Sequence, residues 1–525
     1  MPYSLAVAGS KVYAIGGDGQ VYTIGMPTGI TVIPGARARF AILDRVVVIA
    51  HATNRAVAIT GDAVARPLAL SVPPHGPTLA SSGSGTLTGD YRAKVAFVVK
   101  DEAGDDLAEG PAGPASAAVT LAGAGLLVSN IPTSPDDQVT GRRVYRTASG
   151  GNTFFEWFDL DDNTTTTFLD NAPDAALSIV PLDDETGLAA GRMRLITEWK
   201  GRLWAVSLGE PDRLAFSVDG RPFVWPATFS FDVPPVGGDS VGITGFLPRR
   251  DEMAVGKREI LWKIVGSAPD DFRLVKLVEG TGILAPDAAL VTRDVGRFLA
   301  LDGVYEWDSE GVRSITDDDV KPWFTTDDFF NRALFPDAFA HYNPRLHAYE
   351  LCLPAAGQTT FNRWVTFDIA RRKWLGPHAT AAFVPTAAGV SFDDRDVKMA
   401  VLGAADGYLW RTDPLLFRDG AASAIDFSPT LAFHTGGAPD IEHFWGLLSV
   451  LTRIESGGTL DILVRTGGLD AAWSPTILHD LTTGREKLRR GGTGRLMQIA
   501  FRNTELNQPC EIYGYELPFH ELGRR

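Results

Sequence analysis

The sequence predicts an all-β protein: a β-propeller with an inserted immunoglobulin- or fibronectin-like β-sandwich and a C-terminal β-sandwich. Three observations predict it. Helix signals are nearly absent, the best amphipathic stretch being a short one around Thr326–Phe335. Short runs of apolar alternation, broken by Gly, Asp or Pro, recur along the chain, the period of half-buried strands. From about 190 to 415 a strand, a turn and a second strand closing on an aromatic recur in segments of roughly 35 to 55 residues, the length of a four-stranded blade.

Residues 1–74 read as the first blade or blades. Lys11–Ile15 and Gln20–Ile24 flank Gly16-Gly17-Asp18-Gly19, whose glycines supply the positive φ of a hairpin turn. Arg39–Leu43, Val46–Ala50 and Ala56–Ile59 follow as strands. Residues 75–183 read as the inserted sandwich. Its approach, SVPPHGPTLASSGSGTLTG over 71–89, has linker composition. Asp90–Lys100 then alternates, followed by short strands at Ala117–Leu121, Gly125–Ser129, Gly141–Arg146, Phe154–Asp159 and Thr165–Asp170.

Residues 184–418 carry the remaining blades. Asp302-Gly303-Val304-Tyr305-Glu306-Trp307 and Asp406-Gly407-Tyr408-Leu409-Trp410 share one pattern: Asp-Gly makes the turn and the aromatic packs between blades. Trp204, Trp262, Trp307, Trp364 and Trp410 are the packing candidates. Residues 419–525 lose the repeat. Alternation at Leu460, Ile462 and Val464, and around Leu496–Ala500, predicts a sandwich that closes the propeller or docks further parts.

Composition narrows the function classes. The 525 residues carry a formal charge of −15, which argues against a chain-wide basic footprint for gripping nucleic acid. A like-charged wall would still let DNA slide past. Hydrophobic residues at 45% and charged residues at 22% exclude bulk disorder. Cys352 and Cys510 are too few for a disulfide scaffold or a four-Cys zinc module, and read as reduced thiols. The first residues lack a basic segment and a long apolar run, so no signal peptide is expected, and no run is long enough to span a membrane as a helix.

Chemistry-bearing patterns are sparse. There is no His-Glu-x-x-His, Walker loop or Gly-x-Ser-x-Gly elbow. His341 and His347 flank Asn343-Pro344 and read as loop histidines rather than a metal pair. Acidic runs at Asp105-Asp106, Asp136-Asp137, Asp161-Asp162, Asp183-Asp184-Glu185, Asp327-Asp328 and Asp393-Asp394 read as turns. Asp317-Asp318-Asp319 stands out, because three adjacent carboxylates repel unless solvent, a cation or an arginine relieves them. Ser217–Trp225 resembles the Asp-box turn of sialidases, although its Gly and Trp fall out of register. Basic residues cluster at Arg249-Arg250, Lys257-Arg258, Arg371-Arg372-Lys373 and 485–490. Lys257-Arg258 reads as a hairpin tip, either a plain exposed turn or a loop touching phosphate in a channel. No catalytic residue, cofactor or metal is expected.

The order of segments resembles the tail hub, or nozzle, proteins of short-tailed bacteriophages, the packaged-DNA stabilisation proteins. The resemblance rests on LITEWKGRLWAVSLGEPDRLAFSVDG, then ITGFLPRRDEMAVGKREILWKIVGS with a hairpin over Asp251–Val265, then Gly282-Ile283-Leu284-Ala285-Pro286 ahead of a blade. It continues through FSPTLAFHTGGAPDIEHFWGLLSV, and YRAKVAFVV with GRRVYRTASGG mark the insertion. It implies a structural virion protein, not an enzyme, made in the bacterial cytoplasm and housed in the virion tail. Six copies would form a ring below the portal and adaptor proteins, extend the DNA channel and retain packaged DNA until ejection. The terminal sandwich would meet a tail fibre, spike or plug, and double-stranded DNA would be touched only transiently. On this reading Arg249, Arg250, Lys257, Arg258, Asp317, Asp318 and Asp319 are candidates for loops at the lumen. The alternatives are a baseplate or minor tail protein of a long-tailed phage, and a carbohydrate-binding or sialidase-like propeller. A cluster of Arg, Tyr and carboxylates at the propeller centre would distinguish the last.

Overall fold

A computed structural model describes residues 4–523, except 9–10, 16–19, 24–25, 32–36, 45, 52–55, 60–64, 69, 101–103, 105, 137, 180, 183–192, 224, 227, 235–240, 380–382, 393–396, 412–417, 420–422, 469 and 489–491. The Gly16–Gly19 turn and the acidic residues Asp105, Asp137, Asp183, Asp184, Glu185, Asp393 and Asp394 therefore lie outside the described residues. The chain divides into two compact units, Met1–His378 with Pro385–Arg411, and Ala379–Val384 with Thr412–Arg525.

The first unit contains a propeller. Blade 1 is Ser4–Ala8, Lys11–Ile15, Gln20–Thr23 and Met26–Thr31; blade 2 is Arg39–Leu43, Val46–Ala50, Val57–Ile59 and Ala65–Pro67. Blade 3 is Met193–Trp199, Arg202–Ser207, Arg213–Phe216 and Ser230–Asp232; blade 4 is Gly245–Pro248, Met253–Gly256, Ile260–Val265 and Arg273–Glu279. Blade 5 is Leu290–Thr292, Val295–Leu299, Val304–Asp308 and Gly311–Ser314; blade 6 is Phe339–Asn343, Ala348–Leu353, Arg363–Asp368 and Lys373–His378. Blade 7 has three described strands, Pro385–Phe392, Lys398–Ala404 and Leu409–Arg411. Each is an antiparallel meander in chain order. The first strand of every blade touches the first strand of the next, and that of blade 7 touches that of blade 1, which closes the ring.

Apolar side chains fill the spaces between blades. Trp204 is fully buried between blades 3 and 4, stacked on Phe216 at 4.4 Å between ring centroids and edge-on to Phe272. Its indole N–H donates to the Trp199 carbonyl, so burial leaves no polar atom orphaned. Trp307 is likewise buried, with Leu247, Ala254 and Phe298. The seam between blades 4 and 5 needs bare backbone: a Cβ at Gly256 would lie 2.6 Å from the Ile283 side chain. Trp262, Trp364 and Trp410 are only partly buried; Trp410 donates to Asp406 of its own turn.

The inserted sandwich packs Asp106–Glu109, Ala93–Lys100, Gly141–Thr147 and Phe154–Leu160 against Phe168–Asp170, Val119–Ser129 and Thr78–Tyr91, in those sheet orders. Its core includes Tyr91, Val95, Leu126, Val128 and Val144. The linker reading of 71–89 is corrected over its second half. Thr78–Tyr91 is one long strand paired with Val119–Ser129, held by backbone pairing and anchored by Leu79 and Leu87. Its Ser/Gly composition hides it because only two of its fourteen residues, Leu87 and Tyr91, are buried. The expected helix around Thr326–Phe335 is also displaced. A one-turn α-helix occupies Lys321–Thr325 and a 3₁₀ turn Arg332–Asp337, with Pro322 and Pro336 restricting each.

The second unit is a β-sandwich. Arg485–Leu488, Leu448–Thr452 and Ile512–Glu516 form one sheet, and Ile477–Asp480, Thr459–Gly467 and Leu496–Arg502 another. Leu448, Val450, Leu460, Ile462, Val464, Ile499 and Phe501 form the buried core between them. A third small sheet joins Gly492–Gly494, Glu442–Trp445 and Phe519–Gly523.

Candidate functional site: the arginine mouth of the propeller

The starts of the innermost strands meet at one mouth of a central cavity of about 630 Å³. Blade 2 brings Arg39 as the first residue of its inner strand and Arg37 two residues earlier. Blade 5 is preceded by a 3₁₀ turn, Pro286–Ala288, that points Asp287 across the axis. The Arg39 guanidinium donates from Nε and Nη2 to both Asp287 carboxylate oxygens at 2.9 Å, and from Nη1 to the Arg194 carbonyl of blade 3. Arg37 donates from Nη2 to the Thr386 carbonyl of blade 7 and lies over the Phe339 ring of blade 6, 4.6 Å from its centroid. Its Nε stands 3.9 Å from Asp287.

Two guanidinium groups, Arg37 and Arg39, therefore share one carboxylate, and Arg39 holds both its oxygens. Burial pushes the Arg37 pKa below its ordinary value against the pull of Asp287, and Arg39 adds to the shift. Arg194 is shifted the same way by burial and then by Arg39, and its guanidinium has no hydrogen-bond or ion-pair partner among the described residues. The cavity is also lined by Thr197, Glu198, Leu290 and Val291, and by Leu195, Ile196 and Phe246, whose side chains are buried between blades.

None of the seven residues singled out in the sequence lines this cavity. Arg249 is buried over Trp307 and tied to Glu252 and Asp294; Arg250 is exposed, its backbone N–H donating to Asp294. Lys257 is not at an exposed hairpin tip. It is fully buried, its ammonium 2.5 Å from Asp212, because the hairpin leans on the turn of blade 3. Arg258 is exposed and lines a separate groove with Asp327 and Arg332. Asp317 accepts the Val320 and Lys321 N–H groups through its carbonyl and stands 4.0 Å from Lys373, while Asp318 and Asp319 face solvent. Among the described residues no group of acidic, His or Cys side chains could hold a metal.

Other readings resolve similarly. His341 is not in a loop: it is a buried strand residue whose Nε2 lies 2.7 Å from Glu350. Burial alone would raise the Glu350 pKa, but His341 and Asn343 outweigh it and hold the carboxyl below its ordinary value. Asp162 ends its acidic run by accepting the Thr164 and Thr165 N–H groups and pairing with Arg142. The Asp-box-like segment is a turn between the third and fourth strands of blade 3, with Gly220 at φ +64° and Trp225 buried. The sequence did signal the arginine mouth, in Arg37-Ala38-Arg39 opening an apolar strand. Nothing local marked Asp287, 248 residues away, as its partner.

No protein-family model matches the chain, and no curated protein matches it in sequence. Among solved structures it is similar to the WD40 propeller domain of Doa1, with 9% identity over 78% of this chain and 91% of that one and a TM-score of 0.30. It is also similar to PorZ, a surface component of the type-IX secretion system of Porphyromonas gingivalis, with 11% identity over 99% of this chain and 75% of that one and a TM-score of 0.26. Likeness at this level carries nothing about function; the propeller assignment rests on the strand order and ring closure above.

Proposed function

We propose that the chain is a structural virion protein, the tail nozzle of a short-tailed bacteriophage, which as a hexameric ring below portal and adaptor extends the DNA channel and retains packaged DNA. The observation that supports this reading is the module order: two blades, an inserted sandwich, five more blades and a terminal sandwich. It is the order expected from the segments that resemble that family. On this reading the propeller forms part of the channel wall, the terminal sandwich meets a fibre, spike or plug, and no bond is made or broken.

Immunogold labelling of intact virions in negative stain tests it. Label at the tip of a short tail is expected. Label on the baseplate of a long tail, or on no particle, overturns it. The arginine mouth favours a second reading, a propeller that binds an anionic ligand. Turnover of a sialoside by the pure protein, lost on substituting Arg37 or Arg39, would put that reading first.

A further inference from the structure

Each blade is an antiparallel meander, so the turn between its second and third strands and its connector to the next blade lie at the same end. At that end of blades 4, 5 and 6 these segments enclose a groove of about 570 Å³. Arg258 comes from the turn of blade 4, Leu301 from that of blade 5 and Gly357 from that of blade 6, while Asp327 and Arg332 come from the connector between blades 5 and 6. Both arginines stand on fixed backbone. Lys257, buried and paired with Asp212, holds the hairpin tip that carries Arg258. The connector is stitched to the loop of blade 6: Asn331 donates from its backbone N–H to the Pro354 carbonyl and from Nδ2 to the Gln358 carbonyl, and the Ala356 N–H donates to the Phe329 carbonyl. Phe330 and Phe335, buried before and after Arg332, anchor it.

Neither guanidinium is committed. Arg332 Nε is shut off from solvent and has no hydrogen-bond partner, and neither arginine side chain makes an ion pair or hydrogen bond among the described residues. A buried N–H without an acceptor is rare in a native fold and calls for one. Asp327 is the one carboxylate lining the groove; it is exposed and pairs with neither arginine, so two free guanidinium groups outweigh it. A ligand carboxylate is filled by a single fork, as Arg39 fills Asp287. Two forks from different segments suit an oxyanion with more oxygens and more charge, which a phosphate group supplies. Leu301, Ala333 and Pro336 give the groove accessible apolar surface beside the arginines, room for a short organic body.

We propose that this groove binds the phosphate group of a small molecule, clasped between Arg258 of blade 4 and Arg332 of the connector between blades 5 and 6, with Asp327 limiting affinity by repulsion. The assignment neither needs nor tests the virion role.

The test is calorimetric titration of the full chain at about pH 8, where a phosphate monoester is doubly charged, with phenyl phosphate, inorganic phosphate and benzoate. Phenyl phosphate is expected to bind saturably with a Kd of about 1 mM or tighter, at least about tenfold ahead of benzoate. Inorganic phosphate binding several-fold more weakly than phenyl phosphate assigns the groove to an ester, and equal affinity assigns it to free phosphate; both uphold phosphate recognition. Arg332→Gln and Arg258→Gln should each weaken binding by about tenfold or more, the effect of losing one charge-assisted contact. Neither side chain has a partner in the fold, so the melting temperature should hold in both variants; should Arg332→Gln fold poorly, Arg258→Gln decides. Asp327→Asn should strengthen binding several-fold, and Arg250→Gln, at the opposite end of blade 4, should leave it unaltered. No saturable phosphate binding, benzoate matching phenyl phosphate, indifference to Arg258→Gln, or weaker binding in Asp327→Asn would each overturn the assignment.

Discussion

Glu306→Gln is the sharpest test of how the propeller is held together. Glu306 sits on the third strand of blade 5, its side chain 1% exposed. Its carboxylate lies 2.6 Å from Arg297, whose side chain is 4% exposed, and 2.9 Å from Arg372 of blade 6. Arg313 approaches at 3.3 Å. Burial alone would raise its pKa, but Arg372 and Arg297 outweigh it and hold the carboxyl below its ordinary 4.5. Arg372 and Arg313 are about half exposed, so their pairings contribute no more than about 1 kcal/mol each. Arg297 is different: with a neutral partner its buried charge is uncompensated, at a cost of about 3–5 kcal/mol. The amide would also aim an N–H₂ at guanidinium donors. Urea unfolding of the full chain, read at blade tryptophans, should show that loss at pH 7. Because the folded pKa is depressed, the stabilisation is present above the unfolded value of 4.5 and lost as pH falls through the lower folded value. The difference between wild type and variant should therefore shrink on acidification below 4.5. A cost under about 1 kcal/mol at pH 7, or a difference that grows in acid, would refute a buried Glu306–Arg297 pair.

Trp204→Ala should destabilise the first unit by about 3–5 kcal/mol in the same assay, since it empties the seam between blades 3 and 4. Gly256→Ala should lower the melting temperature clearly, because its Cβ would meet Ile283 at 2.6 Å, whereas Arg250→Gln should stay within about 0.5 kcal/mol of wild type. Neither thiol should react readily with a disulfide reagent at pH 8 in the folded protein: Cys352 is buried, and burial pushes the Cys510 pKa up to about 11. Unfolding in denaturant should release both.

The blades were legible because each carries its own period-2 strands and its own turn. Lys11–Ile15, Arg39–Leu43 and Val46–Ala50 can be read directly, and so can the Asp302-Gly303 turn. What failed did so for physical reasons. Thr78–Leu87 is a strand made by its partner rather than by its side chains, so composition misled. Lys257 and Arg249 read as solvent-seeking charges, yet each found a carboxylate from a neighbouring turn or blade and was buried with it. His341 likewise became a core residue because Glu350, directly opposite on the adjacent strand, supplies a charge partner. The Arg37-Ala38-Arg39 pattern was visible, but its pairing was not, because a propeller axis assembles residues from blades far apart in sequence, and only ring closure brings Arg39 to Asp287.

That same internal pairing bears on the proposed nozzle role. The cations that the sequence offered for phosphate contact are largely committed: Lys257 to Asp212, Arg249 to Glu252 and Asp294, Arg372 to Glu306. Arg142, Arg143 and Arg146 of the inserted sandwich are buried against Asp162, Asp159 and Asp170. A charge of −15 then faces any duplex without an opposing basic stripe among these residues. The expected result is that the pure chain does not retain a duplex fragment on a gel at about 150 mM salt, and that any weak binding at low salt has a log–log salt slope near zero. Gripping proteins lose affinity with a slope of about −0.9 for each phosphate neutralised. A slope of about −4 or steeper would mean several cations reach phosphate at once and would refute this expectation. For a conduit that must hold DNA and then let it pass, weak adhesion is the useful property, since each lasting contact would have to be broken as the duplex moves.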